Sequence, residues 1–257
     1  MRLTDEQIQY GFYYHFADRK NDIARVTEVS EYAGEEELII NCTQLGTAYK
    51  SSKEKKRVLT EWCEFLVQNP KAFKVLKFGT RMPQELFDAV CHQQDLRDLE
   101  IKWGVYKDLS AIQNLKNLNL LYLGSGSGVE SVRPIGMLSK LVGLYVENFQ
   151  KVQDYAELTQ LSRLESLTIC GDGMGPQYIS VDSIEFLRDI PQLRFLTLLT
   201  IRLRDSDYSP ILNLQQLEHL SLRPHKDVKR VYDNLRRLPK LKWGLLKSEP
   251  ELFTDNG

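Results

Sequence analysis

Leu118-Asn-Leu-Leu121-Tyr-Leu123 decides the fold, because its six-residue pattern recurs along most of the chain. The pattern is LxxLxL, and its last two apolar side chains lie two residues apart, so both point to the same face of a β-strand. Further copies begin at Phe73, Leu96, Leu141, Leu164, Leu193, Leu217 and Leu241. These starting positions are evenly spaced, except for one longer interval between Leu164 and Leu193. A constant period of roughly 20–30 residues predicts a repeat architecture.

Apolar residues spaced by three precede most of these strands. Ile112 and Leu115 lead into Leu118, and Ile135 and Leu138 lead into Leu141. This spacing suits a short helical or 3₁₀ segment. One repeat alone cannot bury its leucines, so neighbouring repeats must cover them, and each buried leucine contributes roughly 1.5–3 kcal/mol.

These copies resemble the leucine-rich repeat family over roughly residues 70–247, in particular its short-repeat, internalin-like bacterial class. The resemblance implies an α/β solenoid. Its parallel β-sheet would line the concave face of an arc, and short helical or 3₁₀ segments would line the convex face. The chain departs from the family at the ninth repeat position, where asparagine is usual. That position holds Arg81, Gly104, Gly126, Phe149, Asp172, Ile201 and His225.

The segment before the repeats does not follow the short period. Thr4-Asp-Glu-Gln7 predicts a capped first helix, Leu38–Cys42 a strand, and Ser52–Asn69 an amphipathic helix that Pro70 ends. A second helix is expected over Gln84–His92. We therefore expect a cap with an irregular first helical repeat at 1–70, the solenoid at 71–247 and a tail at 248–257. Whether residues 1–70 also form a binding surface is left open by their tyrosines.

Composition excludes several classes of function. The 34 Lys and Arg balance 35 Asp and Glu, so the net charge is -1, which argues against a nucleic-acid or membrane-surface partner. The first residues contain no apolar stretch of a signal peptide, and the four cysteines form no CxxC pair. These features predict a cytoplasmic protein with reduced thiols, although export without a signal would leave the same sequence features.

No catalytic constellation is evident, so we expect no catalytic residue, no metal and no cofactor. The histidines (His15, His92, His219 and His225) lack metal-ligand spacing. The glycines of 124–128 and 171–175 are interpreted as turn residues, since neither stretch has a phosphate-loop ending. Cys170 is interpreted as an inert thiol rather than a reactive one. The extra residues around 174–180 are equally consistent with a binding loop and with a tolerated insertion.

The strand residues that point away from the core predict a binding surface on the concave face. We expect apolar and aromatic side chains to be exposed there among charges of both signs, a mixture typical of protein interfaces. The predicted partner-binding residues are Asp98, Glu100, Lys102, Trp103, Leu120, Tyr122, Tyr145, Glu147, Phe195, Leu199, His219 and Arg223. The competing interpretation is that the N-terminal cap or a second copy of the chain covers this face.

The predicted function is a non-enzymatic protein-protein interaction module that is monomeric on its own. One candidate role is that of an inhibitor, such as a bacterial immunity protein that neutralises a toxin. An adaptor or secreted effector scaffold is the alternative. An enzyme, or a carbohydrate-binding protein that uses Trp103, Tyr122 and Tyr145, is a weaker one. The sequence does not identify the partner.

Overall fold

The computed structural model describes residues 1–13, 23–172 and 177–254. The first of these ranges contains helix α1 (Asp5–Tyr10), which begins with the predicted capping box on Thr4 and Gln7. The second range opens with strands β1 (Ala24–Val26) and β2 (Glu37–Ile40) and helix α2 (Ser52–Gln68). Strand β1 was not expected from the sequence.

The repeats follow in chain order. Seven of the eight copies each form one strand of the main sheet, and two further short strands of the described residues lie outside it. These strands are β3 (Val75–Met82), β4 (Asp98–Gly104), β5 (Leu120–Leu123), β6 (Gly143–Glu147), β7 (Ser166–Cys170), β8 (Ile179–Val181), β9 (Phe195–Leu199), β10 (Ile201–Leu203) and β11 (His219–Leu222). The helices are α3 (Gln84–Val90), α4 (Arg133–Gly136), α5 (Lys226–Leu235) and α6 (Leu245–Ser248). Between strands, 3₁₀ segments lie at Ser110–Asn114, Ala156–Gln160, Glu185–Asp189 and Ser209–Asn213.

The main sheet has nine parallel strands in the order β1-β2-β3-β4-β5-β6-β7-β9-β11. The leucine that is central to each repeat pairs with its counterpart in the next strand, as Leu121 does with Leu144 and Leu144 with Leu167. These leucines are fully buried. The predicted solenoid, with a parallel sheet and short helical or 3₁₀ connections, is therefore confirmed.

Helix α2 supplies the core of the first repeat. Val58, Trp62 and Leu66 lie on one face of this helix and are fully buried, and the indole Nε1 of Trp62 donates to the Thr27 carbonyl oxygen at 2.8 Å. The hydrogen bond satisfies the one polar atom of that side chain. Because β1 and β2 continue the sheet, repeat stacking begins within residues 1–70, for which a cap and an irregular first helical repeat are expected.

Two local features depart from the regular repeat. The longer interval between Leu164 and Leu193 contains β8, which pairs in parallel with β10 to form a second, two-stranded sheet. The last copy forms a single bridge between His219 and Trp243 instead of a strand. Gly244 then turns the chain at φ 96°, where a β-carbon would lie 2.2 Å from the Leu220 carbonyl oxygen. The close backbone approach explains why glycine stands here, where the LxxLxL pattern has a leucine.

Candidate functional site

The outward residues of the sheet form the columns that the sequence predicts. Asp98 pairs with Leu120, Leu120 with Gly143, and Phe195 with His219. A second column joins Glu100, Tyr122 and Tyr145, in that order, across β4, β5 and β6. The relative placement of these candidate residues on one face is therefore as expected.

Residues 1–13, called the arm below, lie across the part of this face formed by β5 to β11. Leu3, Ile8 and Phe12 pack in one buried cluster with Leu120 and Phe195. Gly143 makes room for Phe12, because a β-carbon there would lie 2.8 Å from Cδ1 of the ring. We call this region the covered part of the concave face.

Three tyrosines continue the cluster. The rings of Tyr122 and Tyr145 stack with centroids 4.1 Å apart, and Tyr13 of the arm lies 4.5 Å from Tyr145. Burial raises the pKa of both Tyr122 and Tyr145 above the ordinary value. Since the Tyr145 ring already contacts two others, it does not present the open aromatic face that a sugar would need.

Arg194 fixes the beginning of the arm. Its guanidinium donates to the Leu3 carbonyl oxygen at 3.1 Å and forms ion pairs with Glu165 and Glu218 at 3.1 and 2.7 Å. Glu165 in turn accepts from the Leu3 amide at 3.3 Å. Burial alone would raise the pKa of Glu218, but hydrogen bonds from Lys242 and Arg194 lower it below its usual value. The arm is thus held by charge-assisted hydrogen bonds as well as by apolar contact.

His219 fixes the other end of α1. Its Nδ1 lies 2.9 Å from the Gln9 carbonyl oxygen, its Nε2 lies 2.9 Å from Oγ of Ser221, and its ring lies 4.2 Å from that of Phe195. Burial lowers the pKa of His219 to about 4, so the ring is neutral at pH 7. A neutral ring can donate one hydrogen bond, and the Gln9 carbonyl fixes that donor as Nδ1.

The arm corrects the expectation that the apolar members of the predicted surface face solvent. Leu120 and Phe195 are 4% and 1% exposed, and Glu147 is also buried. Tyr122, Tyr145, Leu199 and His219 are half-buried. The alternative that the N-terminal cap covers this face is correct for the residues of the covered part. The sequence signal was present in the capping box and the apolar residues after it, but neither indicated where the helix would dock.

The remaining predicted residues lie outside the covered part of the concave face. Trp103 is 38% exposed at the carboxyl end of β4, and Nζ of the exposed Lys102 lies 5.0 Å from its ring centroid. Glu100 and Asp98 are half-buried on the same strand, and Glu100 pairs with Lys77 at 3.4 Å. We call this surface, formed by β3 and β4, the open part. Arg223 is exposed beyond β11, over the ring of Tyr178.

Cys170 is a buried thiol at the carboxyl end of β7. Burial raises the pKa of the Cys170 thiol to about 12, and its Sγ lies 3.3 Å from the Tyr145 hydroxyl, which is consistent with the predicted inert thiol. Within residues 1–13, 23–172 and 177–254, no group of three His, Cys, Asp or Glu side chains could hold a metal ion. In the same ranges, no helix is long and apolar enough to cross a membrane. His15 and residues 174–176 of the insertion lie outside the described residues.

No family model and no curated protein matches this sequence. Solved structures do match. An internalin from Listeria monocytogenes is 18% identical with a TM-score of 0.51, over 68% of this chain and 54% of the internalin. Internalin C2 from the same organism is 20% identical with a TM-score of 0.51, over 68% of this chain and 71% of its own. A leucine-rich repeat protein from Leptospira interrogans is 16% identical with a TM-score of 0.55, over 84% and 57%.

This chain spans little more than half the length of two of these three structures. At such identities the likeness establishes the fold alone. Together with the repeat register and the parallel sheet, it establishes the chain as a leucine-rich repeat solenoid, as the sequence pattern predicts.

Proposed function

We propose that this protein is a non-enzymatic interaction module and that a protein partner docks on the open part of the concave face. The observation that carries the proposal is the exposed Trp103 beside Lys102, with the carboxylates of Asp98 and Glu100 on the same strand. A large aromatic side chain with charges of both signs around it is a common energetic centre of protein interfaces.

The arm supports the proposal that this face recognises polypeptide. Its apolar side chains enter the cluster around Leu120 and Phe195, while Arg194 and His219 contact its backbone carbonyl oxygens. Such contacts recognise the backbone of the bound segment and the spacing of its apolar side chains, as in known modes of peptide recognition. The open part adjoins the arm, because Asp98 pairs with Leu120, which packs against the arm. A partner would therefore contact β3 and β4 and extend along the edge of the arm.

Several of the predicted partner-binding residues are covered by the arm. Leu120, Tyr145, Phe195 and His219 contact the arm, so a partner would reach them only by displacing it. We therefore assign the primary contacts to Asp98, Glu100, Lys102 and Trp103. Tyr122 lies on β5 in the covered part, with its ring centroid 6.2 Å from that of Tyr13. A partner that also uses the covered part must overcome the free energy of arm docking.

The more specific form of the proposal is an inhibitor of another protein, such as an immunity protein whose partner is a toxin. A nine-stranded sheet with a fully buried leucine core provides a surface whose residues are ordered before binding. Such preorganisation reduces the entropy lost on association and favours tight inhibition. A cytoplasmic location and a monomeric free state are parts of the same proposal.

The test is quantitative affinity purification of the tagged protein from its native lysate, with the wild type, Trp103→Ala and Val105→Ala compared. Val105 is a matched control because it is 54% exposed on the adjoining segment. We expect one stoichiometric protein that is lost with Trp103→Ala and kept with Val105→Ala, since truncating an interface anchor costs about 2 kcal/mol or more. Equal capture by both variants would contradict the open part as the docking surface.

Identification of the captured protein tests the finer proposal. If that protein is toxic when it is produced alone, and if co-production of the wild type but not of Trp103→Ala restores growth, the inhibitor role is supported. A captured protein without toxicity would contradict the immunity role and leave the interaction module in place.

A further inference from the structure

A cavity of about 570 Å³ lies away from the covered and open parts of the concave face, between the carboxyl ends of β9 and β11, strand β10 and the beginning of α5. Leu198, Ile201 and Leu203 give it apolar walls and are themselves buried. Tyr208 completes the apolar lining. A cavity of this size accommodates a small organic molecule.

Exposed cations line the same cavity. The Cζ atoms of Arg202 and Arg223 lie 4.8 and 4.4 Å from the centroid of the Tyr178 ring. Two positive charges therefore contact the same aromatic ring. Lys226 lines the cavity as well and is exposed. Within the described part of the chain, no carboxylate forms an ion pair with any of these three side chains.

The acidic residue of the lining does not neutralise them. Asp227 is 6% exposed and pairs with Arg230 and with His225, each at 3.1 Å. Its charge is thus directed to side chains at the start of α5. The cavity keeps an excess of positive charge in a protein whose net charge is -1.

We propose that this cavity binds a phosphate monoester carried by a small apolar or aromatic group. A guanidinium donates paired hydrogen bonds to phosphate oxygens, and stacking on Tyr178 restricts the orientation of both guanidinium groups before binding. A dianion in the cavity would offset the positive charge of Arg202 and Arg223, which both line it. The apolar part of the lining, which includes Leu198, Ile201 and Leu203, contacts the organic part of the ligand.

Calorimetric titration with phenyl phosphate tests the assignment, with inorganic phosphate and phenol as partial ligands. We expect phenyl phosphate to bind more tightly than either partial ligand, and its affinity to fall at least about tenfold in Arg223→Gln and in Arg202→Gln. Arg237→Gln is the matched control, because Arg237 is exposed, carries the same charge and does not line the cavity. Thermal unfolding of each variant confirms that the fold is kept.

Three results would overturn the proposal: no binding of phenyl phosphate at millimolar concentration, equal affinity for phenyl and inorganic phosphate, or an equal loss in Arg237→Gln. A phosphotyrosine peptide separates the two sources of the ligand. Tighter binding of the peptide than of phenyl phosphate supports a modified protein as the source, and weaker binding supports a small metabolite. Because the cavity is separate from Trp103, this proposal and the proposed function fail independently.

Discussion

The covered and open parts of the concave face belong to one parallel sheet, yet they meet different environments. In the open part the register shifts between Phe78 and Arg81, before Arg81 pairs with Trp103. In the covered part, Leu120 and Phe195 are buried beneath Leu3, Ile8 and Phe12 of the arm. In the open part, Trp103 remains 38% exposed. Outward positions of a repeat sheet are therefore not equivalent, because a segment remote in sequence covers some of them and leaves others to solvent.

The largest expected effect comes from shortening the arm's deepest side chain. Phe12→Ala removes a ring that is 2% exposed and packs over Gly143, so the free energy of unfolding in urea should fall by about 3–5 kcal/mol. If the arm detaches as a unit, the loss in free energy of unfolding cannot exceed the free energy of arm docking, because full detachment is the largest effect that the substitution can have. Tyr10→Ala is the control, since Tyr10 is 46% exposed. Equal losses in both variants would mean that the arm does not pack as described.

A slightly smaller loss is expected for Arg194→Met. The change leaves Glu165 and Glu218, whose side chains are each 10% exposed, without their shared cation, and should cost about 2–3 kcal/mol in urea unfolding. Lys242 still pairs with Glu218, which limits the effect. Arg188→Met removes a more exposed ion pair and should cost less than about 1 kcal/mol. A reversed order would refute the role of Arg194 in holding the arm.

Arm docking should weaken in mild acid. The pKa of His219 is lowered to about 4 by burial, against an ordinary value of 6.5, so the docked state binds fewer protons between these two values. Docking is therefore strongest above pH 6.5 and should weaken by up to about tenfold for each pH unit as the pH falls toward 4. Oxidation of Phe12 by hydroxyl radicals, read by mass spectrometry at pH 7 and pH 5, measures the exposed fraction.

Two variants separate His219 from the other groups that titrate in this range. His219→Gln keeps a donor for the Gln9 carbonyl oxygen and should abolish the pH dependence, while His225→Gln, at an exposed histidine beside α5, should leave it unchanged. A pH dependence that survives in His219→Gln would assign it to other groups.

The smallest effect on stability is expected in the open part. Trp103→Ala should change the free energy of unfolding by less than about 1 kcal/mol, because the side chain is exposed at the end of β4. The contrast with Phe12→Ala is the useful quantity: one variant should affect stability, and the other should affect partner binding. A large loss of stability in Trp103→Ala would show that this ring belongs to the core.

The strand register could be predicted from the sequence because it depends on local periodicity. The repeat spacing placed Leu120, Gly143 and Phe195 in one column, and the capping box at Thr4 predicted α1. Docking of α1 could not be predicted in this way. It depends on contacts such as that of Leu3 with Glu165, which join residues 162 positions apart and leave no periodic trace.

The same reason explains the second sheet. β8 lies within the longer interval between Leu164 and Leu193 and pairs with β10, outside the main sheet. The leucines of the repeat pattern are unaffected by this pairing. Their spacing therefore indicated that residues were added, but not that the added residues form a strand. For the candidate site, the sequence predicted which residues share a face, but their exposure depends on the arm. The open part retains the predicted mixture of an aromatic side chain and charges.

Hydroxyl-radical footprinting of the wild type and of a variant that lacks residues 2–13 tests the division of the concave face most directly. In the wild type, Trp103 should oxidise readily while Phe195 and Tyr145 are protected. Removal of the arm should increase oxidation of Phe195 and Tyr145 severalfold and leave Trp103 unchanged. Equal protection of Phe195 with and without the arm, or ready oxidation of Phe195 in the wild type, would contradict the account.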